Sequence, residues 1–282
     1  MRVILAAVDL GAGAPHVLAG AATLARWSNA ALHVLHVSET VSPNAVASQA
    51  AQAALNKERA QLAELVERCC DRHVDAQEVL PGKPAETISA CARARGADVI
   101  VLGPNTDADL GVLVFGTTAE RVVSAAKVPC LIVRASLPQT LTTIAVAIDF
   151  SPASVAAAEI SARWLRTFGE SAAQTKLHLL HVGWPMDRLA DPELEDRTLQ
   201  PKLRELAQRL SAAGALAIET HVIWWNPPGA AIARWAEEQS CELLVLGMTG
   251  RNAARALLLG SVAASVARQA PCALALVPAP RG

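Results

Sequence analysis

The feature that most constrains this chain is that it is written twice. Val3-Ile4-Leu5-Ala6-Ala7-Val8-Asp9 returns as Thr143-Ile144-Ala145-Val146-Ala147-Ile148-Asp149, an apolar run ending on a carboxylate, at an offset of 140 residues. Ala31-Leu32-His33-Val34-Leu35-His36-Val37 returns as Lys176-Leu177-His178-Leu179-Leu180-His181-Val182 at an offset of 145, so five residues are inserted around 169–175. Gly82-Lys83-Pro84 aligns with Asn226-Pro227-Pro228, and Asp98 to Gly103 with Glu242 to Gly247, both at 144. Pro129-Cys130-Leu131-Ile132-Val133 falls on Ala273 to Val277. Short apolar runs of this kind are strands buried on both faces of a parallel sheet. Between them lie helical patterns near 15–29, 44–72 and 192–213, with Ser151-Pro152 supplying an N-cap and a proline at the first helical position. The expected fold is α/β: two tandem, doubly wound, five-stranded, mostly parallel sheets. The polar stretch Ser136-Leu137-Pro138-Gln139-Thr140 divides them, giving domains 1–137 and 138–282.

The chemistry concentrates where the second copy's fourth strand meets a helix. Gly247-Met248-Thr249-Gly250 is followed by Gly260-Ser261, after which Val262 and Ala263 continue a helical pattern. In open α/β sheets ligands sit outside the carboxyl ends of the strands. Glycines allow close backbone approach and positive φ, and a helix N-terminus offers free N–H groups to phosphate. Arg251 and Arg255 lie in the same loop, where they either neutralise phosphate or are simply solvated. The plainer reading is that the glycines only turn the chain.

This Gly-x2-Gly-x9-Gly-Ser spacing, together with the Val-Asp and Asp-Phe-Ser-Pro strand ends and the Leu-His-Val strand, resembles the ATP-binding members of the universal stress protein family. The resemblance covers both halves nearly end to end. It implies five-stranded sheets whose last strand lies at an edge that commonly pairs domains. It also implies an adenine site at Ala147, Ile148 and Asp149, with Val182 beside the base. Leu246, Gly247, Thr249, Gly250, Gly260, Ser261, Val262 and Ala263 would hold ribose and phosphates. The first copy keeps Asp9, Val37, Gly103, Gly116 and Thr117, but Thr106 replaces the second loop glycine, and Asp107 and Asp109 follow. If that place needs positive φ, a Cβ costs about 1–2 kcal/mol, and the carboxylates repel a triphosphate. The second copy is therefore expected to bind ATP (or AMP or ADP), with or without Mg²⁺, and the first to be a weaker site.

Other classes recede. Twenty-five basic against 26 acidic residues leave a net charge of −1, which favours neither nucleic acid nor an anionic membrane. No apolar run is long enough for a bilayer, and the first strand reaches Asp9 too soon for a secretory signal, so a cytoplasmic protein is expected. The six cysteines lack a C-x-x-C spacing and read as reduced thiols. His33, His36, His178 and His181 show no clustered acidic partners in sequence, and no metal site is expected. Trp224-Trp225 stands at a strand end, suited to packing or to lining a pocket. No G-x-S-x-G, H-E-x-x-H, Walker or G-x-G-x-x-G motif is present and no catalytic base is identifiable, so ATP hydrolysis would be slow at most. The expected role is regulatory, in a stress response. The alternatives are a nucleotide-free interaction scaffold and a slow ATP hydrolase. The two halves are expected to pair within the chain, with a homodimer through edge strands as a further option.

Overall fold

In the computed structural model the chain divides into two compact units, Met1–Leu137 and Pro138–Gly282. The structure describes residues 1–71, 73–107, 112–114, 116–134, 136–212, 216–250 and 259–280, with backbone alone at 45, 105–107 and 112–114. Arg251, Arg255 and Asp109 lie outside the described residues, and the side chains of Thr106 and Asp107 lie outside them too.

The first unit contains β1 (Val3–Val8), α1 (Ala14–Ser28), β2 (Ala31–Ser38), α2 (Gln49–Cys69), β3 (Ala76–Pro81), α3 (Pro84–Ala94) and β4 (Val99–Leu102). A hairpin of β5 (Asn105–Asp107) and β6 (Val112–Val114) follows, then α4 (Thr117–Ala125) and β7 (Cys130–Ile132). The second unit contains β8 (Thr143–Ala147), α5 (Pro152–Phe168), β9 (Lys176–Gly183), α6 (Pro185–Ala190), α7 (Gln200–Ser211), β10 (Ala217–Trp224), α8 (Pro228–Glu238), β11 (Leu243–Gly247), α9 (Ser261–Gln269) and β12 (Ala273–Val277).

Within the first unit the parallel strands run β7-β4-β1-β2-β3, and within the second β12-β11-β8-β9-β10. Both orders reverse direction beside the first strand, between β1 and β4 and between β8 and β11. That is the topological switch point where a doubly wound sheet opens a crevice. The cores follow from the apolar runs: Ile4, Leu32, Val99, Ile100 and Leu131 are buried in one sheet, and Ile144, Leu177, Leu179, Leu244 and Leu274 in the other. The outer strands β3 and β10 carry polar residues and stay half-exposed.

Local signals set the helix starts. The Ser151 hydroxyl accepts the Ser154 N–H at 3.2 Å and Pro152 occupies the first turn of α5. Asn29, with φ 50°, closes α1 in the left-handed region. Two expected helices are subdivided. The 44–72 pattern becomes a 3₁₀ turn at Pro43–Ala45 and then α2, which starts at its own cap where the Ser48 hydroxyl accepts the Ala51 N–H. The 192–213 pattern becomes a wide π turn at Glu195–Leu199 that runs into α7, and α6 precedes it. The β5–β6 hairpin was not legible, because three-residue strands fall below the length at which alternation can be read. No helix among the described residues is long and apolar enough to cross a membrane.

Candidate functional site

In both units the strand-end aspartate begins the site in the same way. Asp9 Oδ1 accepts the Gly11 N–H and Asp149 Oδ1 accepts the Ser151 N–H, each at 2.9 Å. These Asx turns place the intervening residues, Leu10 (φ 61°) and Phe150 (φ 62°), in the left-handed region. A side chain with Cβ there costs about 1–2 kcal/mol. Both copies carry this left-handed residue at the mouth of the sheet.

The second strand of each unit locks the same corner. His36 Nδ1 lies 2.8 Å from the Val8 carbonyl oxygen and His181 Nδ1 lies 2.7 Å from that of Ile148. A carbonyl only accepts, so Nδ1 carries the proton in both rings. These two histidines therefore fix the backbone next to each aspartate.

The glycine loop of the second unit closes on itself. Met248 N–H donates to the Val277 carbonyl and Gly260 N–H to the Met248 carbonyl, each at 2.7 Å, so the two ends of the loop meet beside the sheet. Gly260 caps α9 without a side-chain hydrogen bond. Ala264 N–H already bonds the Gly260 carbonyl, which leaves the N–H groups of Ser261, Val262 and Ala263 without intrahelical partners. Gly250 does not need positive φ, contrary to expectation: the left-handed glycines among the described residues are Gly82, Gly96 and Gly169. Its reason is close approach. A Cβ on Gly250 would stand 3.0 Å from Asp149 Oδ2, and one on Gly247 only 2.7 Å from the Ala153 backbone carbon of α5.

These elements enclose a cavity of about 310 Å³. Ala147, Ile148 and Asp149 line it from the end of β8, Val182 from β9, and Leu246 and Gly247 from β11. Thr249, Gly250, Gly260, Ser261, Val262 and Ala263 line it from the loop and the first turn of α9. All twelve residues singled out in the second copy thus share one space. Sequence reading missed Ser154, Leu180, Pro228, Ile232 and Met248, which also line it. Leu180 could have been found from strand periodicity, since it lies two residues before Val182 on the same face. Ile232 and Pro228 come from α8, which only the tertiary fold brings across.

The first unit has its own cavity of about 510 Å³, lined among others by Asp9, Val37, Gly103, Gly116 and Thr117. It is larger but differently charged: Glu39 and Glu58 join Asp9 in its wall, whereas Asp149 is the only carboxylate residue lining the second cavity among the described residues. Glu58 accepts from the Thr40 hydroxyl at 3.0 Å, and its Oε2 lies 4.0 Å from His36 Nε2. The helix above, α4, carries Glu120 in its first turn, where α9 has no acidic residue.

The strand histidines thus have acidic neighbours after all. Glu58 reaches His36 from α2, and Glu219 of β10 lies 3.6 Å from His178 Nδ1. Distance in sequence hid both. Trp224 and Trp225 do not line the cavity. Trp224 donates from Nε1 to Glu195 at 2.8 Å under Arg188, and Trp225 is half-exposed beside Arg234.

The universal stress protein family model matches residues 1–134 and again 140–278. A universal stress protein from Archaeoglobus fulgidus DSM 4304 shares 21% identity over 97% of this chain and 97% of its own, with a TM-score of 0.73. A putative universal stress protein from Pseudomonas aeruginosa UCBPP-PA14 is also 21% identical, over 98% of this chain and 92% of its own, with a TM-score of 0.63. At that identity the likeness is one of fold.

Proposed function

The chain belongs to the universal stress protein family, and from that premise we propose that it binds ATP or a related adenine nucleotide, mainly in its second unit, in a regulatory stress-response role in the cytoplasm. The observation that carries the reading is the conjunction at one cavity of an aspartate, a glycine loop whose two ends meet, and three helix N–H groups without intrahelical partners. An adenine ring suits the apolar wall of Leu180, Val182 and Ile232, beside Asp149. Phosphates suit the N-terminus of α9, where the helix dipole and the N–H groups of Ser261 to Ala263 favour negative charge. The Asp149 side chain and Gly250 are close enough that any larger residue at 250 would disturb the aspartate. A bound nucleotide would bring its own Mg²⁺, whose remaining ligands would be largely water.

Size alone favours the first cavity, but charge favours the second. At an effective dielectric of about 20, two like charges about 5 Å apart repel by about 3 kcal/mol. Glu39 and Glu58 in the cavity wall weigh in this sense against a phosphorylated guest in the first unit. That unit is accordingly a weaker site. The role proposed is binding, with hydrolysis slow at most.

The test is mass spectrometry of the small molecule released when freshly purified protein is denatured, with its stoichiometry per chain. About one adenine nucleotide per chain, lost in Gly250→Val, is expected. No nucleotide, confirmed by titration with ATP and Mg²⁺, would overturn the reading in favour of an interaction scaffold.

A further inference from the structure

A second cluster of chemically capable side chains lies outside the cavity, on the strands β9 and β10. Their register sets His178 opposite Glu219, and the period of two brings His221 to the same face. Three atoms converge: His178 Nδ1 and His221 Nε2 at 2.9 Å, His178 Nδ1 and Glu219 Oε2 at 3.6 Å, and His221 Nε2 and Glu219 Oε2 at 3.8 Å. The point in their plane equidistant from all three is about 2.0 Å from each, and an ion on or slightly above it meets the range of zinc–nitrogen and zinc–carboxylate bonds. We propose that His178, His221 and Glu219 form a divalent transition-metal site, with Zn²⁺ as the fitting ion and water in its remaining position.

The donor set selects the class of ion. Two imidazoles and one carboxylate suit zinc and its neighbours, whereas Mg²⁺ and Ca²⁺ prefer sites built from oxygen. The supporting contacts are those a metal site needs. Lys176 Nζ donates to Glu219 Oε1 at 2.9 Å, which holds the carboxylate with its other oxygen turned to the imidazoles. Trp235 of α8 packs on both rings, with centroids 5.4 Å from His178 and 5.2 Å from His221, and so limits their rotation. Burial lowers the pKa of both histidines, and the proximity of His221 lowers that of His178 further, favouring the neutral form that ligates metals. The His178 side chain is 6% exposed, His221 30% and Glu219 44%, so the site opens to solvent on the carboxylate side.

The first unit supplies an internal control. There the register sets His33 opposite Ala76, and the position matching His221 is Glu78, which is paired with Arg95. Cys91 stands where α8 has Trp235. The triad therefore belongs to the second unit alone, although the first carries the same Leu-His-x-Leu-His-Val strand. Its neighbour is the cavity: Leu180, two residues along β9, lines that space, as does Ile232, one turn before Trp235. None of the three ligands does, and the proposal does not depend on nucleotide binding.

The experiment uses the full chain, stripped with a chelator, and Zn²⁺ alone titrated in competition with a chromophoric indicator, with Co²⁺ as a spectroscopic substitute. One Zn²⁺ per chain is expected. Glu219→Gln, which keeps an acceptor for Lys176, and His221→Asn should each weaken it at least tenfold while retaining the wild-type circular dichroism. The Co²⁺ form should show visible d–d bands without a thiolate charge-transfer band. Should His221→Asn fail to fold, the half-exposed Glu219→Gln answers the question by itself. No saturable binding at millimolar zinc, unchanged affinity in Glu219→Gln, or a thiolate band pointing to the cysteines would each overturn the proposal.

Discussion

The two units share a strand order, an Asx turn with a left-handed second residue, and a histidine that pins the first strand's last carbonyl. They differ in what surrounds those features. The first cavity is larger and walled by Asp9, Glu39 and Glu58, while the second is smaller, more apolar and bounded by a glycine loop closed through Met248 and Gly260. Backbone geometry has therefore been kept where it builds the sheet mouth, and side-chain chemistry has diverged where a ligand would sit. Fold and site are separable, and the comparison shows which residues belong to each.

The largest effect that would sharpen this contrast is at paired glycines. Gly247→Ala places a Cβ against the backbone of Ala153 and Ser154 at 2.7–2.9 Å, and α5 cannot yield without moving its first turn. Overpacking of that kind is expected to cost about 3 kcal/mol in urea denaturation. Gly103→Ala, its counterpart, meets a Val17 methyl at 2.9 Å, the end of a side chain that can give way. A cost nearer 1 kcal/mol is expected there. Equal costs would show that the two loops are packed alike and that the contrast is misplaced.

Next comes the aspartate pair, read through ligand instead of stability. Asp149→Asn keeps an oxygen for the Ser151 N–H but removes the charge beside Gly250. Losing a charge-assisted hydrogen bond costs about 2 kcal/mol, so nucleotide affinity should fall at least tenfold by isothermal titration. Asp9→Asn should leave the measured affinity unchanged. If Asp9→Asn also weakens it, the first unit is the occupied one or both are.

A smaller effect is expected at the helix start. Ser151 caps α5 through the Ser154 N–H, whereas α1 begins at Gly13 with no side-chain cap. Ser151→Ala should lower stability by about 1 kcal/mol, seen as a shift of the denaturation midpoint with unchanged slope. Gly13→Ala is expected to stay within a few tenths of that scale, because no capping bond is lost.

Much of this was legible in sequence, and for a physical reason. Apolar strands buried on both faces carry a continuous signal, and duplication shows it twice, so Val3–Val8 and Thr143–Ala147 needed no tertiary information. The strand-end aspartates and the loop glycines were legible as a set, because chain direction alone places them at the carboxyl edge of a sheet. What was not legible came from across the fold. Glu58 and Glu219 approach histidines 22 and 41 positions away in the chain, from a helix and a neighbouring strand. Ile232 reaches the cavity because α8 packs over it. The neighbour of Gly250 was hidden in the same way: its φ is not positive, and a Cβ there would stand 3.0 Å from Asp149 Oδ2, which is brought beside it from β8.

The smallest effect tests whether charge, more than cavity size, separates the two units. Glu58→Gln keeps the shape of the side chain and an acceptor for the Thr40 hydroxyl, and it removes a negative charge from the wall of the larger cavity. The lost charge lies 4.0 Å from His36 Nε2, which no longer has an acidic neighbour there, but the Nδ1 bond that fixes Val8 is untouched. Combined with Glu39→Gln, the change should leave the sheet mouth intact while reducing repulsion of a phosphorylated ligand. Screening in an open cavity limits the gain to about 1 kcal/mol, a few-fold in affinity. In an Asp149→Asn background, where the second site is weakened, calorimetry should then show a new, weak nucleotide site in the first unit. If neutralising both glutamates creates no binding, the electrostatic account of the asymmetry fails.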